Sequence, residues 1–81
     1  MEVKKNKTLG ERRVRVDFNT TKDDYVGLLK EKSAELINII DQAANNPRWD
    51  DETFGEWKRL KSLAMTSIEE GAMWAVKAAT I

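Results

Sequence analysis

Cysteine and histidine are absent from the 81 residues of this sequence. Their absence excludes disulfide bonds, thiol nucleophiles and most zinc sites, and it removes the side chain that most often serves as a general base. Small domains often need a disulfide, a metal or a partner subunit to be stable. The first is excluded and the second lacks its usual ligands. We therefore expect a homo-oligomer, and we expect no cofactor.

Long apolar runs are missing as well. No stretch reaches the ~18 apolar residues that a membrane-spanning helix requires. No apolar core follows the charged N-terminus, as it would in a signal peptide. We therefore expect a soluble cytoplasmic protein with no membrane partner.

Proline is nearly absent, and the single proline, Pro47, separates two helical patterns. Before it, apolar residues recur at helical spacing from about residue 22 to about residue 44. After it, the pattern resumes behind Asp50, a good N-cap, and continues to about Ala79. Trp49 and Phe54 occupy the two positions of a hydrophobic staple at this second start. Two long helices with a short connection predict an all-α fold, an antiparallel two-helix hairpin.

The second helix carries small side chains along its C-terminal half, namely Gly71, Ala72, Ala75, Ala78 and Ala79. Small side chains allow another helix to approach closely, which predicts tight packing against the first helix or another subunit. A lone hairpin could not cover three tryptophans and three methionines. This composition also favours a homo-oligomer.

The residues before the first helix fall into two segments. Residues 1–11 are polar, lysine-rich and without periodicity, and we predict a mobile basic tail. Residues 12–18 alternate, with Val14, Val16 and Phe18 on one side, which predicts an extended N-terminal arm or a short strand. We assign residues 12–81 to a single helical domain.

The charge is balanced overall but unevenly distributed. Among residues 1–22, seven lysines and arginines oppose three acidic residues, so this part carries +4 and the remainder −4. A basic segment on an acidic body indicates an anionic ligand or contact with the acidic surface of a neighbouring subunit. A solvated tail is the alternative.

Few residue combinations could support catalysis. Adjacent acids begin the two helices, at residues 23–24 and 50–51, where acids act as caps. The third pair, Glu69 and Glu70, fits a solvated helix face. The sequence has no metal-ligand spacing, no glycine-rich phosphate loop and no nucleophile–base set. We therefore expect that the protein is not an enzyme.

Binding of an anion is better supported. Phe18 follows a run of arginines, and an aromatic ring can stack on a base while arginine or lysine neutralises phosphate. Lys30 and Lys32 are two positions apart, which places them about 200° apart around a helix. Arg59 and Lys61 diverge in the same way. One pocket could not use all four cations.

Three segments resemble the phage anti-CBASS sponge family, whose domain is shared with the Thoeris anti-defence sponges. Residues 61–75, KSLAMTSIEEGAMWA, match the pattern SLAxTx[LI]EExxMWA near the end of the family's domain. Residues 15–19, RVDFN, are similar to its extended stretch with a tyrosine or phenylalanine. Residues 30–36, KEKSAEL, are similar to the middle of its first helix. The resemblance spans residues 12–79.

The resemblance implies a protein that binds cyclic di- or trinucleotide signals without cleaving them, as a compact homohexamer in the host bacterial cytoplasm. It implies that Phe18 stacks on a base of a cyclic dinucleotide and that Lys30 contacts its phosphate. It implies that Arg59 serves a second pocket, which holds cyclic trinucleotides in some members. Further ligand-binding candidates are Lys32, Ser62 and Thr66. DNA and RNA polymers are not expected as partners.

Two alternatives remain open at this point. The ligand could be a cyclic ADP-ribose-type signal of Thoeris immunity. The chain could also be a protein-interaction module without catalysis, which contacts a host protein through its basic arm.

Overall fold

The computed structural model describes residues 7–17 and 24–81, and three helices account for most of them. These helices are α1 (Leu9–Arg13), α2 (Asp24–Asp41) and α3 (Asp51–Ala79). Neither described segment contains a strand. The all-α class and the two long helices of the prediction are therefore confirmed.

Helix α3 begins where the sequence predicts. The Asp50 carboxylate accepts a hydrogen bond from the Thr53 backbone N–H at 2.8 Å. This bond lowers the pKa of the Asp50 carboxyl group, because it stabilises the charged form. Trp49 and Phe54 each lie 5.8 Å from Trp57, measured between ring centroids. Both aromatic residues of the predicted staple therefore pack against the ring of Trp57.

Helix α2 ends at Asp41, three residues before the predicted end near residue 44. The backbone tightens after it, since the Ala43 N–H donates to the Ile40 carbonyl at 3.2 Å. The connection then turns at Asn46, whose carbonyl accepts the Trp49 N–H at 3.1 Å. The predicted N-cap residues 19–21 lie outside the described residues.

Helices α2 and α3 run antiparallel. Lys61 Nζ donates to the Asp41 carbonyl at 2.8 Å, which joins the end of α2 to the first half of α3. Lys30, in the first half of α2, lines a cavity together with Ala72 from the second half of α3. The pairing is that of a hairpin, and the first turns of α3 extend past the end of α2.

Helix α1 corrects the prediction for the N-terminal residues. The extended arm predicted for residues 12–18 is wrong over residues 12–17, where α1 ends and a turn follows. The reason is a capping box. The Glu11 N–H donates to Thr8 Oγ1 at 3.1 Å, and the Thr8 N–H donates to Glu11 Oε1 at 2.9 Å. Residues 8–11 of the predicted tail thus start a helix, and the predicted domain boundary at residue 12 falls within α1.

Helix α1 lies against α2 at a very short distance. A Cβ atom built on Gly10 would come within 2.1 Å of the Ala34 carbonyl oxygen, so only glycine fits there. The Gly10 N–H donates to Asn38 Oδ1 at 2.8 Å, and Asn38 Nδ2 donates to Thr8 Oγ1 at 3.0 Å. Because a five-residue helix is not stable by itself, these contacts hold α1 in place.

A small core forms where the three helices meet. Its buried members are Val14, Ala34, Ile37, Met65 and Ala72. Leu9, Val16, Ile40 and Ile68 pack against it and remain partly exposed. Both valines of the alternating segment therefore contact the core, although their backbone is not extended.

The chain forms a layer about one helix thick. Its principal extents are 48 × 34 × 12 Å, and the diameter of one helix with its side chains is ~10–12 Å. The side of α2 opposite the core exposes Tyr25, Leu28, Leu36 and Ile39. We call the corresponding side of α3 its outer face, and its exposed residues are Leu60, Leu63, Ser67, Gly71, Trp74 and Ala78. Contiguous exposed apolar surface of this kind is typical of interaction sites.

The small side chains of α3 divide between the inside and the outside of the hairpin. Ala72 is buried, whereas Ala75 and Ala79 are half-buried. Gly71 and Ala78 are exposed on the outer face. Only part of the predicted small-residue face is therefore covered within the single chain. Among the described residues, no helix is both long and apolar enough to cross a membrane.

Candidate functional site

A cavity of about 590 Å³ opens between the end of α1, the first half of α2 and the second half of α3. We call it the main cavity. Its volume lies in the range of small-molecule sites, which is roughly 300–1,000 Å³. The described residues that line it are Arg13, Val14, Arg15, Lys30, Thr66, Glu69, Glu70, Ala72, Met73, Val76 and Lys77.

Lys30 is the buried cation of the main cavity. Its side chain is 7% exposed, and its Nζ donates to the Arg15 carbonyl oxygen at 3.1 Å. Burial lowers the pKa of the Lys30 amino group because it disfavours the charged form, and the nearby Arg15 charge lowers it further. The site therefore favours the arrival of a negative charge.

Arg15 occupies the turn that ends α1. Its φ angle is 55°, in the left-handed region. The Val16 N–H donates to the Glu11 carbonyl at 3.0 Å, and the Arg15 N–H donates to the Arg12 carbonyl at 3.3 Å. This is the Schellman pattern, in which the left-handed residue is usually glycine. A side chain in this conformation costs about 1–2 kcal/mol.

Arg13 connects α1 to α3 across one edge of the cavity. Its Nε donates to Glu69 Oε1 at 2.7 Å, and its Nη2 donates to Thr66 Oγ1 at 2.9 Å. Glu69 and Thr66 are one turn apart, so one guanidinium group spans both. Helix α1 is thus fastened to α2 through Gly10 and to α3 through Arg13.

The described walls of the cavity have an excess of positive charge. Arg13, Arg15, Lys30 and Lys77 face two acids, Glu69 and Glu70, and Glu69 is paired with Arg13. Ala72, Met73 and Val76 add apolar surface beside these charges. In the part of the chain that the structure describes, no group of acids is placed to hold a metal ion. The arrangement suits an anion that also carries an apolar or aromatic part.

A comparison with known protein families shows which family the chain belongs to. The Acb2/Tad1 hairpin domain matches the chain over residues 11–80, which includes α2, α3 and all the described lining residues of the cavity. The chain belongs to this family. It is the anti-CBASS and anti-Thoeris sponge family, so the resemblance seen in the sequence is confirmed. No curated protein and no solved structure matches the chain.

Membership of the Acb2/Tad1 family points to an anti-defence sponge of phage origin and to cyclic nucleotide signals as ligands. Two of the residues predicted for ligand binding, Lys30 and Thr66, line the main cavity. Ser62 and Lys32 are exposed and do not line it. Lys32 forms an ion pair with Glu35 at 3.3 Å. The predicted divergence of Lys30 and Lys32 is confirmed, and Phe18 lies outside the described residues.

Arg59 lies on a separate part of α3. Its Nε and Nη2 donate to the two carboxylate oxygens of Glu56 at 2.8 and 2.7 Å. These bonds raise the pKa of the Arg59 guanidinium and lower the pKa of the Glu56 carboxyl group. Arg59 does not line the main cavity. Lys61 turns the other way, toward Asp41 and the Trp57 ring.

Three cations of the cavity were not among the predicted site residues. Arg13 and Arg15 belong to the segment for which an extended arm is predicted, and only the helix and its turn bring them to α3. Lys77 comes from the last turns of α3, where its Nζ lies 5.2 Å from the Trp74 ring centroid. The sequence signal for the first two is the capping pattern of Thr8 and Glu11, which predicts a helix start just before them.

Proposed function

We propose that this protein is a phage anti-defence sponge that binds and sequesters cyclic di- or trinucleotide signals of CBASS immunity in the host bacterial cytoplasm, without cleaving them. Membership of the Acb2/Tad1 family supports the anti-defence role. The observation that carries the ligand class is the main cavity, where four cationic side chains stand beside apolar surface. Cyclic nucleotides combine phosphates with flat bases, which is the chemistry that such walls match.

In the proposed binding mode, charged side chains bind the phosphates of the ligand, and apolar and aromatic side chains contact its bases. Lys30 binds a phosphate, because a buried cation gains most when an anion arrives. Met73 and Val76 contact a base through their apolar side chains. Phe18 lies one residue beyond the described turn, and we propose that it stacks on a base as the family resemblance implies. Thr66 positions Arg13 at the edge of the cavity.

A matched pair of substitutions tests the binding mode. Lys30→Met keeps the apolar length of the side chain and removes its charge, while Lys32→Met makes the same change on the opposite side of α2. A charged hydrogen bond contributes about 1.5–3 kcal/mol. We therefore expect Lys30→Met to weaken binding of a cyclic dinucleotide about 10- to 100-fold. Lys32→Met should bind like the parent. The measurement is calorimetric titration against cyclic di- and trinucleotides and cyclic ADP-ribose isomers.

Two results of this titration would change the proposal. Equal weakening by Lys30→Met and Lys32→Met would mean that the main cavity is not the binding site. Tight binding of a cyclic ADP-ribose isomer alone would mean that the ligand is a Thoeris signal and not a CBASS signal. Arg59→Ala should leave cyclic dinucleotide binding unchanged and weaken cyclic trinucleotide binding, since Arg59 belongs to a separate region of α3.

Sequestration without cleavage has its own test. The complex is heated, and the released ligand is separated by chromatography. We expect the intact cyclic nucleotide, because the acids of the cavity stand among cations and Glu69 is held by Arg13. A linear product that disappears in a Glu69→Gln variant would identify a phosphodiesterase instead.

We further propose that the hairpins assemble as a homohexamer. The protomer is about one helix thick, and the outer face of α3 exposes Leu60 at 51%, Leu63 at 50% and Trp74 at 58%. Other copies would cover this surface, and the family resemblance implies six copies. Sedimentation measures the mass directly. Leu63→Glu should dissociate the assembly, since it places a charge in the proposed interface. A folded parent monomer at micromolar concentration would refute the proposal.

A further inference from the structure

We infer that Arg15 is a direct anion contact of the main cavity, and that the left-handed turn at Arg15 presents its guanidinium group there. The inference rests on the proposed function for the nature of the ligand and adds a binding residue to it. Three observations carry it: the backbone of the turn, the place of Arg15 in the cavity wall, and the pairing of the neighbouring cations.

The turn itself does not need an arginine. The two hydrogen bonds that close it join backbone atoms, from Val16 to Glu11 and from Arg15 to Arg12. Glycine would form both bonds and would adopt the φ angle of 55° without steric cost. The fold alone therefore favours glycine at position 15. Strained non-glycine residues of this kind cluster at ligand clamps and active sites.

The side chain stands in the cavity wall, next to another cation. Arg15 lines the main cavity, and Lys30 Nζ reaches its backbone carbonyl at 3.1 Å. The Arg15 charge also lowers the pKa of the Lys30 amino group, so the two positive charges repel each other. An anionic group placed between them would neutralise both, and phosphate is an anion that arginine and lysine both bind.

Arg13 and Arg59 differ from Arg15 in their pairing. Within residues 7–17 and 24–81, Arg13 is bonded to Glu69 and Arg59 to Glu56. In the same residues no ion pair or side-chain hydrogen bond involves the Arg15 guanidinium. A ligand can therefore bind Arg15 without first displacing a described carboxylate, whereas at Arg13 it would compete with Glu69.

The test uses three variants of the full-length protein at one concentration. Arg15→Gly removes the side chain and the backbone strain together. Arg15→Lys keeps a positive charge and loses the guanidinium geometry. Arg12→Ala is the matched control, because Arg12 carries the same charge three residues earlier, on α1, but does not line the main cavity. Each variant is melted with and without millimolar inorganic pyrophosphate and is titrated with 3′,3′-cyclic GMP–AMP.

We expect Arg15→Gly to melt higher and to bind less tightly. Relief of the strain should raise the melting temperature by roughly 4–8 °C. Loss of the charged contact should weaken binding of the cyclic dinucleotide about 10- to 100-fold and remove the stabilisation by pyrophosphate. Arg15→Lys should fall between the parent and Arg15→Gly. Arg12→Ala should change binding by less than about threefold, which is a surface-charge effect.

Other results would overturn the inference. They are parent-like binding by Arg15→Gly, equal weakening by Arg12→Ala, or a lower melting temperature for Arg15→Gly. The two probes also separate this inference from the proposed function. If the parent binds pyrophosphate through Arg15 but no cyclic nucleotide, the function is wrong and the anion contact stands. If the parent binds the cyclic dinucleotide and Arg15→Gly does too, the function stands and the contact is wrong. Failure of the parent to bind either probe would refute the anion contact and exclude this cyclic dinucleotide as the ligand.

Discussion

The close approach of α1 to α2 makes Gly10→Ala a sharp test of the cavity's construction. The added methyl carbon would lie 2.1 Å from the Ala34 carbonyl oxygen, 2.7 Å from its carbonyl carbon and 2.8 Å from its Cα atom. All three atoms belong to the backbone of α2, so no side chain can move aside. An ordinary carbon–oxygen contact is about 3.3–3.6 Å. Helix α1 would therefore have to move away from α2 by more than about 1 Å.

The cost of this movement has opposing parts. Overpacking of a close contact costs about 1–3 kcal/mol, and loss of the hydrogen bond from Gly10 to Asn38 costs about 0.5–1.5 kcal/mol. Alanine is favoured over glycine in a helix by about 1 kcal/mol, which offsets part of this. The net loss of unfolding free energy should be about 1–3 kcal/mol. Arg13 and Arg15 would move with α1, so binding of a cyclic dinucleotide should weaken at least about tenfold.

Gly55→Ala is the matched control. Gly55 lies in α3 on the exposed part near its start, and a Cβ atom built there meets nothing within 4 Å. The same chemical change should therefore stabilise the protein by up to about 1 kcal/mol. Urea denaturation of both variants and the parent gives the two changes, at one protein concentration because association contributes to stability. Calorimetric titration on the same samples gives the effect on binding.

The two glycine variants should thus shift the urea midpoint in opposite directions. The reasoning would be refuted if Gly10→Ala stabilised the protein as Gly55→Ala does and bound the ligand like the parent. That result would mean that α1 does not rest on Ala34, and the wall formed by Arg13 and Arg15 would lose its support.

Three further predictions concern assembly and pH. Gly71→Ala should stabilise an isolated hairpin by up to about 1 kcal/mol, because nothing lies within 4 Å of its Cβ position. In the proposed hexamer the same change should instead destabilise the assembly. Stabilisation with unchanged sedimentation would exclude the outer face of α3 as an interface. Affinity for a cyclic dinucleotide should fall as pH rises through the lowered pKa of Lys30, in a window below the usual lysine value of about 10.4. Lys30→Arg should abolish this fall. An affinity of the parent that stays constant from about pH 7 to about pH 10 would contradict the prediction. Because the Lys30 pKa is lower in the folded state, its charge also costs stability at neutral pH. This cost falls as pH rises from the folded pKa and is gone above the unfolded value of about 10.4. The pKa of the Asp50 carboxyl is also lowered in the folded state, but here the charged form stabilises the protein. This stabilisation is complete above the unfolded pKa of about 3.9 and is lost as pH falls through the folded pKa. Circular dichroism of Asp50→Ala should therefore show a weaker acid transition than the parent, and an unchanged transition would contradict this.

The helical hairpin could be predicted from the sequence because its signals are local. The apolar periodicity of α3 continues without a break over many turns, and Asp50 marks its start. A short alternating segment is less decisive, and the prediction failed for residues 12–17. The capping box of Thr8 and Glu11 was the competing local signal. It determines the backbone, while Val14 and Val16 still reach the core from a helix end and a turn.

The main cavity could be predicted only in part. The family resemblance implies a phosphate contact for Lys30, and it suggests Thr66 only as a nearby candidate. The bond between Arg13 and Glu69 joins residues 56 positions apart, and no local pattern indicates such a pair. The left-handed backbone of Arg15 could not be predicted from the sequence either, because position 15 holds an arginine, whereas such turns usually hold a glycine.

The brevity of α1 has a consequence for how the cavity exchanges its contents. Five residues make too short a helix to persist without support, so α1 exists only while it is docked on Asn38 and Ala34 and tied to Glu69. Breaking these few contacts opens one wall of the cavity and leaves α2 and α3 paired. Such local opening requires far less free energy than global unfolding. The Val14 and Val16 amides should therefore exchange with solvent deuterium sooner than the amides in the middle of α3, and a bound ligand should slow them most.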